Sequence, residues 1–98
     1  MKLEYKRDQI KDGSKTIANI RGDRLRSGNG SSTICNVRDD KVRKGNGSST
    51  LCNVRNGDIR DGNGSSRKAK VKDVKKMIRG SESLSDVFVA AIWETFIR

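Results

Sequence analysis

Two cysteines and a recurring set of arginines are the residues best suited to chemistry in this chain, which contains no histidine. Without histidine, a Ser-His-Asp triad, a Cys-His dyad and histidine-ligated zinc are all excluded. Cys35 and Cys52 would need two further ligands to hold zinc, and the chain does not offer them. Ala18 and Ala69 occupy the equivalent positions of a repeat, which indicates small buried side chains. We predict no catalytic residue, no metal site, no cofactor and no small-molecule substrate, and we expect that the protein is not an enzyme.

The arginines follow the same repeat and suggest electrostatic binding. The chain has 22 Lys and Arg against 12 Asp and Glu, which is a formal net charge of +10. Regularly placed cations make phosphate contacts whose strength depends on salt and not on base sequence. Aspartates lie among the arginines and aromatic residues for base stacking are few, so a solvated strand surface is the favoured interpretation and anion binding the alternative. The candidate anion contacts are Arg21, Arg38, Arg55, Arg26, Arg43 and Arg60.

Three Gly-Asn-Gly-Ser-Ser loops, beginning at Gly28, Gly45 and Gly62, carry backbone N–H groups and hydroxyls close to these arginines. Such groups can cradle a phosphate, but a P-loop requires a Gly-Lys-Ser/Thr end that leads into a helix. That end is missing from the sequence. Turn chemistry is therefore the favoured explanation of the loops.

A 17-residue repeat sets the spacing of all these residues. Residues 19–35 read NIRGDRLRSGNGSSTIC, and residues 36–52 read NVRDDKVRKGNGSSTLC. A further copy reads NVRNGDIRDGNGSSRKA, and a degenerate copy, two residues shorter, comes first. We predict a repeat region over residues 1–72, with copies at 4–18, 19–35, 36–52 and 53–69. Residues 73–98 are predicted to form a helical hairpin or a helix that packs on the repeats and at a subunit interface.

Each copy contains a two-residue turn that predicts a β-hairpin. Asn56-Gly57 is typical of a type I′ turn, which needs positive φ at both central residues. Its equivalents are Asp39-Asp40, Gly22-Asp23 and Arg7-Asp8. Counting outward from the turns pairs apolar residues in every copy. The pairs are Val54 with Ile59, Val37 with Val42, Ile20 with Leu25, and Tyr5 with Ile10. Ile17, Ile34 and Leu51 fall on the other face, which therefore also has apolar surface to bury.

The segment after the repeats changes to helical spacing. Val71, Val74 and Ile78 recur as on a helix, and Gly80 suits a helix C-terminus. Residues 83–86, Ser-Leu-Ser-Asp, resemble a capping box that begins a helix over about residues 84–97. The Val-Phe-Val run at 87–89 leaves a buried strand as the alternative.

The last helix is apolar nearly all round, which requires burial on two sides. We expect the face with Leu84, Phe88 and Ile92 to cover the Ile17 side of the sheet. The opposite face would then meet a second protomer, and a dimer is the favoured homo-oligomer. The residues of this predicted interface are Val89, Trp93, Phe96 and Ile97.

The motif V-R-x-x-(D/K)-(I/V)-R-x-G-N-G-S-S, at residues 37–49 and 54–66, resembles that of small uncharacterised bacterial proteins described as four-fold β-flower proteins. The resemblance covers about residues 2–72 and includes no functional motif. It implies four short hairpins around a pseudo-symmetry axis. The competing architecture is a parallel β-solenoid with 17-residue coils, stacked asparagine ladders and a helical cap. We favour hairpins because the two-residue turns require antiparallel neighbours.

The residues therefore predict a mainly β protein of four tandem hairpin repeats, in a meander or flower-like arrangement, with a C-terminal helical segment. Neither a targeting segment nor a membrane span is visible in the sequence, so we expect a cytoplasmic protein with free thiols rather than a disulfide. We expect a non-catalytic, self-associating interaction or structural module. The alternative is a basic module that binds nucleic acid or another polyanion without sequence specificity.

Overall fold

A computed structural model describes residues 2–98 and shows a mainly β protein with a C-terminal helix, as the sequence predicts. Met1, with which the predicted repeat region begins, lies outside the described residues. The strands are β1 (Leu3–Lys6), β2 (Gln9–Asp12), β3 (Lys15–Arg21), β4 (Arg24–Ser27), β5 (Thr33–Arg38), β6 (Lys41–Lys44), β7 (Thr50–Arg55), β8 (Asp58–Asp61), β9 (Arg67–Lys70) and β10 (Ile78–Arg79).

Across residues 2–98 the ten strands form one sheet, and β1 to β9 follow one another in chain order. Each of these neighbouring pairs is antiparallel, whereas β10 pairs with β1 in parallel. A parallel solenoid would instead stack equivalent strands of successive copies in parallel. The meander therefore contradicts the solenoid alternative. The arrangement of the copies around a pseudo-symmetry axis stays a prediction.

The hairpin registers follow from the two-residue turns. All four predicted apolar pairs are observed, from Tyr5 opposite Ile10 in the first hairpin to Val54 opposite Ile59 in the last. At the last turn Asn56 and Gly57 have φ angles of 54° and 80°, the left-handed values that a type I′ turn requires. Local turn chemistry therefore sets which residues of each hairpin share the inner face.

A β-bulge recurs where each hairpin joins the next. Leu25 pairs with Cys35 but Arg26 pairs with Thr33, which leaves Ile34 as the extra residue. The same register shift occurs before β3, β7 and β9. The bulge residues Ile17 and Leu51 are half-buried and pack against the main core. The expectation that the helix covers these residues on a second apolar face is therefore wrong.

The C-terminal segment forms two short helices. α1 (Val71–Met77) follows β9 directly, and Gly80, with φ of 78°, leads into a 3-10 turn at Ser81–Ser83. Ser85 caps α2 (Asp86–Ile92) by accepting a 3.4 Å hydrogen bond from the Phe88 N–H. The helix continues as a π-helical turn over Trp93–Ile97. The observed helix excludes the alternative of a buried strand in this segment.

The core lies between the inner face of the sheet and α2, which packs on β5, β6 and β7. Fully buried side chains from both layers meet there, and they include Leu25, Cys35, Val42, Cys52, Val89 and Ile92. The helix thus covers the face that carries the cysteines. None of the helices in the described part of the chain is long and apolar enough to cross a membrane.

Candidate anion-binding face

The outer face of the sheet carries the predicted anion contacts because strand residues alternate between the two faces. Ile20 and Leu25 form an inward-facing pair, so the residues beside them point outward. On this outer face Asn19 lies opposite Arg26, and Arg21 lies opposite Arg24. The next two hairpins repeat this pattern, with Asn36 opposite Arg43 and Asn53 opposite Arg60. Arg21, Arg38 and Arg55 are exposed, and Arg26, Arg43 and Arg60 are half-buried.

Cations line up across the strands in rows. One row runs from Arg38 through Lys41, Asn53 and Arg60 to Arg67, from β5 to β9. At the usual spacing of neighbouring strands, this row spans about 19 Å. A parallel row runs from Arg21 through Arg24 and Asn36 to Arg43. Each row therefore holds several cations within the reach of one extended anion.

Like charges face each other directly in these rows. Arg21 lies opposite Arg24, and Arg38 lies opposite Lys41. Such pairs destabilise a sheet by about 0.2–1 kcal/mol each. In the last hairpin Arg55 is opposite Asp58, so the charge pattern is not uniform.

One asparagine in each copy holds the neighbouring Gly-Asn-Gly-Ser-Ser loop in place. The Asn19 Nδ2 donates to the Gly28 carbonyl at 2.7 Å and to the Gly30 carbonyl at 3.2 Å. Asn36 and Asn53 make the same two bonds, at the same distances, in the next copies. The amide thus occupies two carbonyl oxygens that would otherwise repel an anion.

The loops and the preceding turns enclose polar grooves. A groove of about 880 Å³ is lined by Asn19, Arg21, Arg26 and Ser31, with Asp8 from the preceding turn. A second groove, of about 530 Å³, has the equivalent residues two copies later: Asn53, Arg55, Arg60, Ser65 and Asp40. The sequence pattern did not reveal these grooves, because each is formed between successive copies. The recurrence of Asn19, Asn36 and Asn53 was the signal that could have indicated the loop clamp.

Two guanidinium nitrogens on this face lack a hydrogen-bond partner. The Nε atoms of Arg43 and Arg60 are buried, and neither has a partner among the described residues. A buried donor without an acceptor is costly, because it has lost its hydrogen bonds to water. An acceptor from a ligand would remove this cost if the arginine side chain turned its covered Nε outward.

The cysteines lie on the inner face, away from these grooves. Cys35 on β5 and Cys52 on β7 are separated by β6, so two strand spacings of about 4.8 Å each put them beyond disulfide reach. Both are free thiols with no exposed surface. Burial, together with a smaller effect of the Glu94 carboxylate, raises the pKa of Cys35 to about 11 and that of Cys52 to about 12. The thiols are therefore protonated and unreactive at neutral pH.

The predicted interface residues divide into two groups. Val89 has no exposed surface and Trp93 has 8%, because both pack inside their own chain. The prediction that Val89 and Trp93 face a second protomer is therefore wrong, because both side chains belong to the core of their own chain. Phe88, which we expected in the core, is half-buried, as are Phe96 and Ile97. Arg98 covers Trp93 further, with its guanidinium carbon 5.2 Å from the ring centroid.

Over residues 2–98, no group of three or more His, Cys, Asp or Glu side chains is placed to hold a metal ion. Comparison with protein-family models, with curated proteins and with solved structures finds no match for this chain. The resemblance to four-fold β-flower proteins therefore depends on the hairpin motif alone.

Proposed function

We propose that this protein is a non-catalytic module that binds the phosphate backbone of nucleic acid through the outer face of its sheet. The observation that carries the proposal is the row of cations from Arg38 to Arg67, with like charges held opposite one another. The repulsion within these like-charged pairs opposes folding, although Arg67 also lies 4.0 Å from the Asp58 carboxylate. A bound polyanion would turn the repulsion into attraction.

The chemistry of the face favours contacts to the backbone over contacts to bases. Sequence-tolerant binding of single strands uses aromatic side chains on which bases stack. Tyr5 is the one aromatic residue in β1 to β9, and its hydroxyl donates to Asp8 at 3.0 Å. Arginine and lysine side chains supply phosphate contacts instead. We therefore propose duplex binding without sequence specificity.

The proposal includes the flower-like arrangement of the four copies. Equivalent hydrogen bonds join successive hairpins, since the N–H groups of Ile20, Val37 and Val54 donate to the Asp8, Asp23 and Asp40 carbonyls at 2.7, 2.8 and 2.8 Å. Such a layout would present one set of cations in each copy to the same partner. A cytoplasmic location, where nucleic acid is present, is part of the same proposal.

The test is the affinity for a short DNA duplex, measured by fluorescence anisotropy over a range of salt concentrations. We expect the triple variant Arg21→Ser, Arg38→Ser, Arg55→Ser to bind more weakly and to lower the salt slope by about 0.9 for each lost phosphate contact. These three side chains are exposed, so the fold should persist.

The matched control removes the same charge elsewhere, as Lys72→Ser, Lys76→Ser, Arg79→Ser, at three exposed positions on α1 and β10. We expect this control to keep most of the affinity. Equal losses in both triple variants would show that net charge alone drives binding. Absence of binding at about 50 mM salt would remove the proposal.

Self-association is the second candidate function, with another copy of this chain as the partner. It is supported by the half-buried side chains of Phe88, Phe96 and Ile97 at the C-terminal end. Light scattering of the wild type and of Phe96→Ser tests this candidate. A monomeric wild type at high protein concentration would contradict it.

A further inference from the structure

We infer that the groove between successive copies is a phosphate subsite, and that the chain repeats this subsite, so that one nucleic acid backbone occupies several of them. The inference deepens the proposed function and rests on it. It names where on the outer face the phosphate groups bind and which atoms receive them.

The two grooves share equivalent side chains, although their third cations come from different positions of the repeat. Asn19, Arg21, Arg26 and Ser31 of one groove correspond to Asn53, Arg55, Arg60 and Ser65 of the other, 34 positions further along the chain. Each groove also contains one carboxylate, Asp8 or Asp40, from the preceding turn. A third cation, Arg7 or Lys41, lines each groove as well. Cations thus outnumber acids three to one in both grooves.

The loop contributes hydrogen-bond donors more than acceptors. Because Asn53 occupies the carbonyls of Gly62 and Gly64, these acceptors are already paired. The hydroxyl of Ser65 remains at the groove wall. An anion that enters therefore meets donors and positive charge, which is the environment that phosphate oxygens require.

The Arg60 Nε is buried and has no hydrogen-bond partner among the described residues, although Arg60 lines the groove. The Arg43 Nε is in the same state in the preceding copy, where Arg43 pairs with Asn36 as Arg60 pairs with Asn53. A phosphate oxygen would satisfy this donor once the Arg60 side chain turned its covered Nε toward the groove, because Arg presents Nε and a terminal nitrogen as a planar pair that fits two phosphate oxygens.

The test is a titration followed by NMR, with inorganic phosphate as the first ligand and a short DNA duplex as the second. We expect the Nε–H signals of Arg26, Arg43 and Arg60 to shift and saturate with phosphate, while that of Arg79 does not. The duplex should shift the same signals at much lower concentration, because it occupies several subsites at once. Chemical-shift changes of equal size at all exposed arginines would overturn the proposal that the grooves are phosphate subsites.

A charge-preserving variant tests the geometry. Arg60→Lys keeps the positive charge but removes the planar donor pair, so we expect phosphate to bind the last groove on the order of tenfold more weakly. The Arg26 signal should still report the wild-type affinity, and Arg79→Lys is the matched control. Unchanged phosphate affinity in Arg60→Lys would refute the subsite.

The two proposals fail in different ways. Duplex binding without saturable phosphate shifts at the arginine Nε–H groups would keep the proposed function and overturn the subsites. Saturable phosphate shifts without duplex binding at about 50 mM salt would keep the subsites and overturn the nucleic acid partner.

Discussion

Replacement of Asn53 by alanine tests whether the asparagine clamp holds the loops, and through them the grooves. The Asn53 amide donates to the Gly62 and Gly64 carbonyls at 2.7 and 3.2 Å, and the residue is 8% exposed. A hydrogen bond contributes about 0.5–1.5 kcal/mol, and water can reach the exposed Gly64 carbonyl after the change. We therefore expect Asn53→Ala to lower the free energy of unfolding by about 2 kcal/mol.

Urea unfolding followed by circular dichroism measures this loss. With a slope of about 1–2 kcal/mol per M, the midpoint should fall by about 1–2 M. Asn46→Ala is the matched control, because Asn46 lies exposed in the equivalent loop one copy earlier and should change stability by less than about 0.5 kcal/mol.

A second variant separates hydrogen bonding from shape. Asn53→Asp keeps the size of the side chain but directs a carboxylate at the two carbonyl oxygens, so it should be less stable than Asn53→Ala at neutral pH. If Asn53→Ala is as stable as Asn46→Ala, or if Asn53→Asp is as stable as the wild type, the clamp does not hold the loop.

Three further changes test the fold. Gly80→Ala should lower the free energy of unfolding more than Gly57→Ala, although both glycines have positive φ. The reason is that a Cβ on Gly80 would meet the Tyr5 carbonyl oxygen, whereas a Cβ on Gly57 would have no atom within 4 Å. Equal thermal midpoints of the two variants would contradict this. The pKa of Cys52 is raised in the folded protein to about 12 from an ordinary value of 9.0, so its contribution to stability is complete below pH 9 and is lost as the pH rises toward 12. Cys52→Ala should therefore flatten the decline of stability above pH 9 in urea titrations, and an unchanged slope would count against the burial of the thiol. Trp93→Glu should unfold the chain rather than release a folded monomer, since the indole is 8% exposed, and a folded variant by circular dichroism would argue that this side chain faces outward.

Local chemistry made the hairpins readable from the sequence. A two-residue turn such as Asn56-Gly57 determines the pairing of the residues beside it, so Val54 opposite Ile59 followed without knowledge of the rest of the chain. The start of α2 was predicted two residues too early, because the capping-box pattern at residues 83–86 makes Ser83 the cap, whereas Ser85 accepts the bond from the Phe88 N–H. The six candidate arginines were chosen because they recur with the 17-residue repeat, and their role as anion contacts stays a prediction.

Features that join distant segments were decided by the tertiary structure. The alternation of inward and outward side chains along a strand fails at a β-bulge, where one extra residue such as Ile34 interrupts the pairing. Regular alternation therefore assigns the helix to the wrong apolar surface of the sheet. A helix that is apolar nearly all round carries no information about its own orientation, and packing against the cysteine face buried Val89 and Trp93 within the chain. The grooves arise between one copy and the next. The sequence by itself therefore determined the pairing within each hairpin and which charged residues lie on the outer face. Only the packing of one hairpin on the next and of the helix on the sheet determined the grooves between copies and the composition of the core.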